Sequence, residues 1–275
     1  MKILISVDIE GVSGIVHPTE TNPDRYDFER GRALMTAEAN AVIAGVLDAE
    51  PSAEVLVADA HGTYRSLLPE ELDRRARLVR GKPRPFGMLG GLDADTDAVF
   101  LIGYHARAGG GPGVLSHSMS DDILDVRVAG RSMGEIGLNT AMAGHLGVPV
   151  VLLSGDDAAC AELLGLVPAA ATVPVKQALG QAAAITLHPQ VARERLREAA
   201  AEAVKRTAAV PPLTIAGPLD VEIDLHNPST VDLATLVPGV SRAEGSRTVT
   251  FTAAGFADAY KLVLLFVQLA TIKPR

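Results

Sequence analysis

Apolar and polar positions divide the first two thirds of the chain into alternating short and long segments. Short apolar runs, typical of buried strands, lie at residues 2–7, 54–59, 97–104 and 148–153. The clearest amphipathic segment predicts a helix from about Phe28 to Ala49, with Met35, Ala39, Val42 and Val46 on one stripe. Buried strands that alternate with helices predict a three-layer α/β/α fold, in which helices cover both faces of a mostly parallel sheet.

The pattern changes after about residue 175. Pro189 opens a charged amphipathic helix that extends to Lys205. Two strand-like segments and a very apolar helix follow, at residues 219–225, 247–252 and 255–270. We therefore expect an α/β domain with the catalytic site over residues 1–180, and a smaller C-terminal α+β lobe over residues 181–275.

Composition and charge exclude several classes of protein. The formal net charge of -8 over 275 residues opposes nucleic-acid binding, which needs a basic face. Cys160 is the single cysteine, so the chain has neither a disulfide framework nor a CxxC motif. The apolar run at residues 262–269 is shorter than the roughly 20 residues that span a bilayer, and no charged leader opens the chain. We expect a cytoplasmic protein without nucleic-acid or membrane partners.

Two carboxylates end the first apolar run. Asp8 and Glu10 follow residues 2–7 directly, and side chains two positions apart in an extended chain project from the same face. Negative charges this close repel each other unless a proton or a cation lies between them. Because α/β proteins commonly bind ligands at the carboxyl ends of their strands, the pair predicts a metal site at this edge of the sheet.

Three further side chains of metal-binding type are expected at the same edge. His61 and His105 each follow a predicted strand, and Glu135 opens a helix. Together with the carboxylate pair they are five ligands, which supply three bonds to each of two ions if one carboxylate bridges. Oxygen and nitrogen ligands without thiolate suit zinc, and also manganese or cobalt. His117 lies beyond a glycine-rich loop that could present it to a substrate.

Each of these residues also has a structural interpretation. The pair of Asp8 and Glu10 could line a solvated loop, and a histidine at a strand end is often only a hydrogen-bonding residue. Ser132 and Glu135 have the spacing of a capping box, which would explain Glu135 without a metal. The convergence of several such residues on one predicted edge nevertheless favours a metal site.

The order and spacing of these motifs resemble the DppA-type D-aminopeptidases, a family of dinuclear zinc peptidases. The resemblance extends from the first residues to about Gln177, and the chain departs from the family by extra glycine between His105 and His117. The matching motifs are Ser6-Val7-Asp8-Ile9-Glu10-Gly11-Val12-Ser13-Gly14, Phe28-Glu29-Arg30-Gly31-Arg32, Asp59-Ala60-His61, Gly103-Tyr104-His105-Ala106-Arg107, Gly113-Val114-Leu115-Ser116-His117-Ser118, Gly134-Glu135-Ile136-Gly137-Leu138-Asn139, Gly155-Asp156-Asp157 and Val175-Lys176-Gln177.

The resemblance implies a metal-dependent aminopeptidase that contains two zinc ions per chain. It implies that Asp8 bridges the two ions. Glu10 and His61 would complete one site, as the family pattern has it. His105 and Glu135 would complete the other.

The resemblance also implies the reaction and the assembly. An N-terminal residue, a D-amino acid by analogy, would be released from a short peptide by attack of a dizinc-bound hydroxide. His117 would be catalytic, either donating a proton to the leaving amine or stabilising the tetrahedral intermediate. Family members form closed rings of ten subunits, so a homo-oligomer, and specifically a ring-shaped decamer, is expected.

Two other functions stay open from the sequence. Carboxylates after a buried strand also resemble the haloacid-dehalogenase-type phosphotransferases, in which Asp8 would be the nucleophile of a magnesium-dependent phosphatase. Asp156 or Asp157 would then belong to a late magnesium-binding motif, whereas we expect one of them to cap the helix that follows. The second alternative is a non-catalytic peptide-binding protein linked to dipeptide transport, which would not require the full set of metal ligands.

Overall fold

The computed structural model describes residues 1–272, which form two β-sheets and the helices packed on them. The strands are, in chain order, β1 (Lys2–Val7), β2 (Glu54–Asp59), β3 (Arg77–Val79), β4 (Ala98–Tyr104), β5 (Ile123–Val128), β6 (Arg131–Ser132), β7 (Val150–Asp156), β8 (Ala171–Gly180), β9 (Ala183–Thr186), β10 (Leu219–Leu225), β11 (Ser241–Arg242) and β12 (Thr248–Ala253). The α-helices are α1 (Pro18–Thr21), α2 (Phe28–Ala49), α3 (Glu135–His145), α4 (Asp157–Leu164), α5 (Pro189–Lys205), α6 (Pro228–Ala234) and α7 (Phe256–Ala270). Within residues 1–272, no helix combines the length and the apolar composition needed to cross a bilayer.

The larger sheet has seven strands in the order β3-β2-β1-β4-β7-β8-β9. Its neighbouring strands are all parallel except β8 and β9, which form an antiparallel hairpin. Strands β4 and β7 are buried at every position, as expected for the centre of a sheet that is covered on both faces. The predicted α/β class with a mostly parallel sheet is confirmed.

The smaller sheet is antiparallel, with five strands in the order β11-β12-β10-β5-β6. Strand β10 alternates buried with more exposed residues, the pattern of a sheet with one face on the core. Helices α6 and α7 pack on this sheet and complete a second lobe. Strands β5 and β6 precede residue 180 and the other three strands follow it, so the smaller sheet contains segments from both sides of the predicted boundary. The division of the chain into domains at residue 180 stays a prediction.

Local patterns predict some elements better than others. The observed bounds of α2, α5, β2 and β10 coincide with those expected from the sequence. The sequence predicts a strand over residues 148–153, whereas β7 runs from Val150 to Asp156. The later start follows because Pro149 has no amide hydrogen for the strand ladder. The β5–β6 hairpin is not predicted, since its partner strand β10 lies far away in the chain.

Helix α2 packs closely against α5 at Gly45. A Cβ atom added there would lie 2.1 Å from the carbonyl oxygen of Arg197 and 2.9 Å from the Cβ of Ala200. Glycine inside a helix costs about 1 kcal/mol relative to alanine, so helix propensity does not explain it. The missing side chain instead lets the two helix backbones approach each other.

We expect Gly45→Ala to lower the free energy of unfolding by about 1–3 kcal/mol, because the added methyl group forces α2 away from α5. Gly165→Ala is the matched control, since a Cβ at this C-cap of α4 would lie 3.4 Å from its nearest neighbour, the carbonyl oxygen of Ala161. That variant should stay within about 0.5 kcal/mol of the parent. Urea denaturation followed by circular dichroism measures both, and a stabilised Gly45→Ala protein would contradict the packing argument.

Candidate metal centre

Strand β1 places two carboxylates at the carboxyl edge of the larger sheet. It lies between β2 and β4 and is parallel to both, so the residues that follow these three strands meet at one edge. Asp8 and Glu10 follow β1, His61 follows β2, and His105 is the first residue after β4. Glu135, the first residue of α3, contacts His105 from the side. The structure thus brings together the five residues predicted as metal ligands.

Imidazole nitrogens face carboxylate oxygens throughout this cluster. His61 Nε2 lies 3.3 Å from Glu10 Oε1. His105 Nε2 lies 3.6 Å from Asp8 Oδ2 and 3.4 Å from Glu135 Oε1. Two groups have all their ligand atoms within 4.8 Å of one another, namely Asp8, Glu10 and His105, and His105, His117 and Glu135. His61 is in neither group and joins the cluster through Glu10.

Each histidine ring is oriented by a hydrogen bond at Nδ1. The partners are Ser66 Oγ for His61 at 2.7 Å, the Ala106 carbonyl for His105 at 3.0 Å and the Leu115 carbonyl for His117 at 2.9 Å. A carbonyl oxygen only accepts, so His105 and His117 carry a hydrogen on Nδ1. With Nδ1 occupied in this way, Nε2 of both rings faces the carboxylates, which is the orientation that metal binding requires.

Two buried polar atoms of the cluster have no hydrogen-bond partner among the described residues. They are Glu10 Oε2 and His105 Nε2. Buried polar groups in proteins are nearly always hydrogen-bonded, because desolvation without a partner is costly. A cation next to three buried carboxylates would satisfy both atoms. The donor set of imidazole nitrogen and carboxylate oxygen, without thiolate, fits zinc.

Burial and neighbouring charges together set the ionisation of the carboxylates. Burial, reinforced by the charges of Glu10 and Glu135, raises the pKa of Asp8 well above its usual value. Burial opposes ionisation of Glu10 as well, but His61, His105 and His117 together outweigh it, and the pKa of Glu10 is well below its usual value. For Glu135 burial is likewise outweighed, and His105 lowers the pKa of Glu135 to about 2. Without a cation, the cluster must therefore retain a proton or charge its imidazoles.

His117 lies on the open side of the cluster. Its ring stacks on that of His105, with ring centroids 4.1 Å apart and 13° between the planes. Its Nε2 atom is 3.5 Å from Glu135 Oε1, and 24% of its side chain is exposed, against 5% for Glu135. An incoming molecule would therefore meet His117 before it meets the carboxylates.

Glu135 is not part of a capping box. Gly134 is the N-cap of α3, and no side chain caps this helix. Ser132 Oγ instead donates to Asp125 Oδ2 at 2.9 Å. Glu135 Oε1 accepts a hydrogen bond from the Met119 backbone N–H at 2.7 Å, which fixes the carboxylate next to the histidines. The capping-box interpretation of Ser132 and Glu135 is therefore wrong.

Asp156 caps helix α4, as the sequence predicts. Its Oδ1 accepts from the Ala159 N–H and its Oδ2 from the Val114 N–H, both at 2.7 Å. Asp157 Oδ1 accepts from the Ala178 N–H at 2.9 Å. Backbone donors thus occupy both carboxylates, and within the described part of the chain neither belongs to a group of potential metal ligands.

Lys176 is a buried cation behind the loop that carries Glu10. Its Nζ donates to the carbonyl oxygens of Glu10, Val12 and Ile15, at 2.5, 3.1 and 2.6 Å. Burial lowers the pKa of Lys176 to about 8. The three bonds hold the backbone of this loop against β8. In the sequence, Lys176 is part of the matching motif Val175-Lys176-Gln177, but the motif does not reveal this role.

A cleft of about 350 Å³ opens above the cluster, within the range of about 300–1,000 Å³ that small-molecule sites occupy. Four of the five cluster residues and His117 line it, namely Asp8, Glu10, His61, Glu135 and His117. Outside them it is lined by Tyr64, Lys82, Met119, Asp122, Leu264 and Val267, among others. These residues come from loops and from α7, and no local motif identifies them as parts of a site.

Comparisons with known proteins agree with this geometry. A family model described as D-aminopeptidase matches residues 1–265. A D-aminopeptidase from Bacillus subtilis (strain 168) is 38% identical over 270 residues, which are 98% of each chain. A solved structure described as the Zn-dependent D-aminopeptidase DppA from Bacillus subtilis, a self-compartmentalizing protease, is 37% identical and has a TM-score of 0.96, with 100% of both chains covered. The resemblance inferred from the motifs is confirmed, and the chain belongs to the D-aminopeptidase family.

Proposed function

We propose that this chain is an aminopeptidase that holds two zinc ions and releases N-terminal D-amino acids from short peptides. One observation carries the proposal: buried carboxylates and imidazoles converge below a cleft, and two of their atoms have no hydrogen-bond partner among residues 1–272. Family membership supports the reaction, and the Zn-dependence of the Bacillus subtilis relative supports the metal. Manganese or cobalt would accept the same ligands.

The proposed ligand roles follow the contacts within the cluster. Asp8, whose carboxylate is close enough to interact with those of both Glu10 and Glu135, is proposed to bridge the ions. Glu10 and His61 would hold one ion, since they already face each other at 3.3 Å. His105 and Glu135 would hold the other and lie 3.4 Å apart. When bound, the ions supply a Lewis acid for the scissile carbonyl and lower the pKa of a water molecule.

His117 is proposed to transfer a proton during the reaction. The Leu115 carbonyl accepts its Nδ1 hydrogen, so Nε2 is the nitrogen that exchanges a proton on the cleft side. The ring is held by its stack on His105, which limits the positions that Nε2 can adopt. From there His117 could protonate the leaving amine as the peptide bond breaks.

The proposal extends to assembly and location. The Bacillus subtilis relative is described as a self-compartmentalizing protease. On that basis we propose a homo-oligomer, and as a finer proposal a ring-shaped decamer, whose enclosed sites would admit only short peptides. The cytoplasmic location stays a prediction from the sequence.

The two alternative functions are not favoured. A phosphatase with Asp8 as nucleophile would need a late magnesium-binding motif, but Asp156 is occupied by backbone donors at the start of α4. It would also leave His61 and His105 without a role. A non-catalytic peptide-binding protein is not favoured because the matching family is one of peptidases.

The purified full-length protein is expected to carry two zinc ions per chain and to cleave D-Ala-D-Ala much faster than L-Ala-L-Ala. Elemental analysis by plasma mass spectrometry measures the metal, and chiral chromatography measures the released alanine. Chelation should abolish cleavage, and added zinc should restore it. A protein that binds no metal and cleaves neither dipeptide would refute the proposed function.

His117→Ala is expected to lower kcat by about 100-fold or more with both zinc ions retained, because general acid catalysis contributes about 10²–10⁴-fold. His145→Ala, which removes an exposed imidazole at the end of α3, is the control and should leave kcat unchanged. Near-normal turnover of His117→Ala would contradict a catalytic role. Loss of zinc from that variant would instead make His117 a ligand.

Lys176→Met is expected to lower the free energy of unfolding by about 1–3 kcal/mol, because the carbonyls that it contacts lose a buried donor. It should also weaken zinc retention, because these carbonyls belong to the loop that carries Glu10. Lys205→Met is the control, since that lysine is exposed and paired with Glu202 on the surface of α5. Equal stability and equal zinc affinity in the two variants would show that Lys176 does not support the site.

A further inference from the structure

We propose that Lys82 binds the C-terminal carboxylate of the substrate and so restricts the cleft to very short peptides. The proposal rests on the aminopeptidase function above and adds the group that recognises the far end of the substrate. Lys82 lines the same cleft as the cluster and His117. A peptide whose amino end reaches the metal ligands would extend its carboxyl end along this cleft.

The position of Lys82 is tied to the loop that carries His61. The Tyr64 N–H donates to the His61 carbonyl at 2.7 Å, and the Gly81 N–H donates to the Tyr64 carbonyl at 2.6 Å. On the other side of Lys82, Arg84 Nη2 donates to the carbonyl of Asp59, at the end of β2, at 2.6 Å. Lys82 therefore lies between Gly81 and Arg84, each of which donates a hydrogen bond to the backbone of the segment that contains His61.

Tyr64 completes this attachment. The Arg84 guanidinium stacks over its ring, 4.3 Å from the centroid, and Lys82 Nζ lies 5.5 Å from the same centroid. A cation over an aromatic face is favourably placed, so the Tyr64 ring helps to hold Lys82 at the cleft that both residues line. Tyr64 has a φ of 58°, an unfavourable value for a residue with a side chain, so its tertiary contacts maintain this conformation.

Lys82 has no anionic partner in the part of the chain that the structure describes. No carboxylate lies within ion-pair distance of its Nζ, and no hydrogen bond from its side chain is found among residues 1–272. Lys82 is an exposed residue, but desolvation by the residues around it lowers its pKa. A cation at the edge of a ligand cleft, already partly desolvated and without a partner, is suited to a carboxylate of the ligand.

This arrangement recognises a peptide by its two charged ends. The acidic cluster and its metals would lie at the amino end, and Lys82 would lie at the carboxyl end. A dipeptide or a similarly short peptide meets both conditions, whereas a longer chain presents a neutral peptide group where the carboxylate should be. The contact would act on substrate binding, so its loss should change KM more than kcat.

The test compares D-Ala-D-Ala with D-Ala-D-Ala amide on the zinc-loaded full-length protein. In the parent the amide should have a KM at least about tenfold higher, because a charge-assisted contact is missing. Lys82→Met should raise KM for the free dipeptide by a similar factor, leave kcat within about twofold, and leave the amide unaffected. Lys82→Arg should retain most of the preference, and Lys261→Met, an exposed lysine of α7 outside the cleft, should retain all of it.

Two outcomes would overturn the role of Lys82. One is an equal change in KM for the free and the amidated dipeptide in Lys82→Met, and the other is no change for either. Calorimetric binding of both peptides to the zinc-loaded His117→Ala protein, with and without Lys82→Met, repeats the comparison with turnover slowed by about 100-fold. If the parent cleaves neither peptide, the proposed function fails, while an unequal affinity that disappears in Lys82→Met would still support the carboxylate contact.

Discussion

Three buried carboxylates within contact of the same histidines are the constraint on which the rest of the site depends. Asp8, Glu10 and Glu135 are each less than 10% exposed, so water cannot stabilise their charges. Their charge must be balanced locally, by His61 and His105 or by cations. The sheet meets this requirement because β2 and β4 flank β1 and end at the same edge. The order of the strands therefore determines which carboxylates and histidines come close enough to balance each other's charge.

Backbone contacts behind the cluster maintain its geometry. Lys176 holds the carbonyls of the loop after β1, and the Met119 N–H holds the carboxylate of Glu135. Gly11 lets the same loop lie against β4, since a Cβ there would come within 1.9 Å of the Tyr104 carbonyl oxygen. These contacts act on the positions of the ligands and not on the ions themselves. They fix the ligands before any metal binds, which lowers the conformational cost of binding it.

Sequence patterns predict those parts of the molecule that depend on local chemistry. Amphipathic periodicity predicts the bounds of α2 and α5. Apolar runs that are followed by carboxylates or histidines predict the edge of the larger sheet at which Asp8 contacts His105. The β5–β6 hairpin is missed because its pairing partner β10 is distant in the chain. The roles of Lys176 and Lys82 are missed for the same reason, since each depends on contacts between separate segments. The capping-box error at Glu135 shows the opposite failure, in which a valid local pattern is overridden by tertiary contacts.

Helix α7 gives the cleft an apolar wall that is encoded far from the metal ligands. Its Tyr260 hydroxyl donates to Asn139 Oδ1 at 2.6 Å, which fastens it to α3, and it contributes Leu264 and Val267 to the cleft. The ligand-type residues all lie within the first half of the chain, up to Glu135. The apolar wall that α7 adds to the binding space is therefore encoded apart from the proposed metal ligands. As related proteins diverge, substitutions in α7 can therefore change the space for a substrate side chain while the proposed metal ligands stay the same.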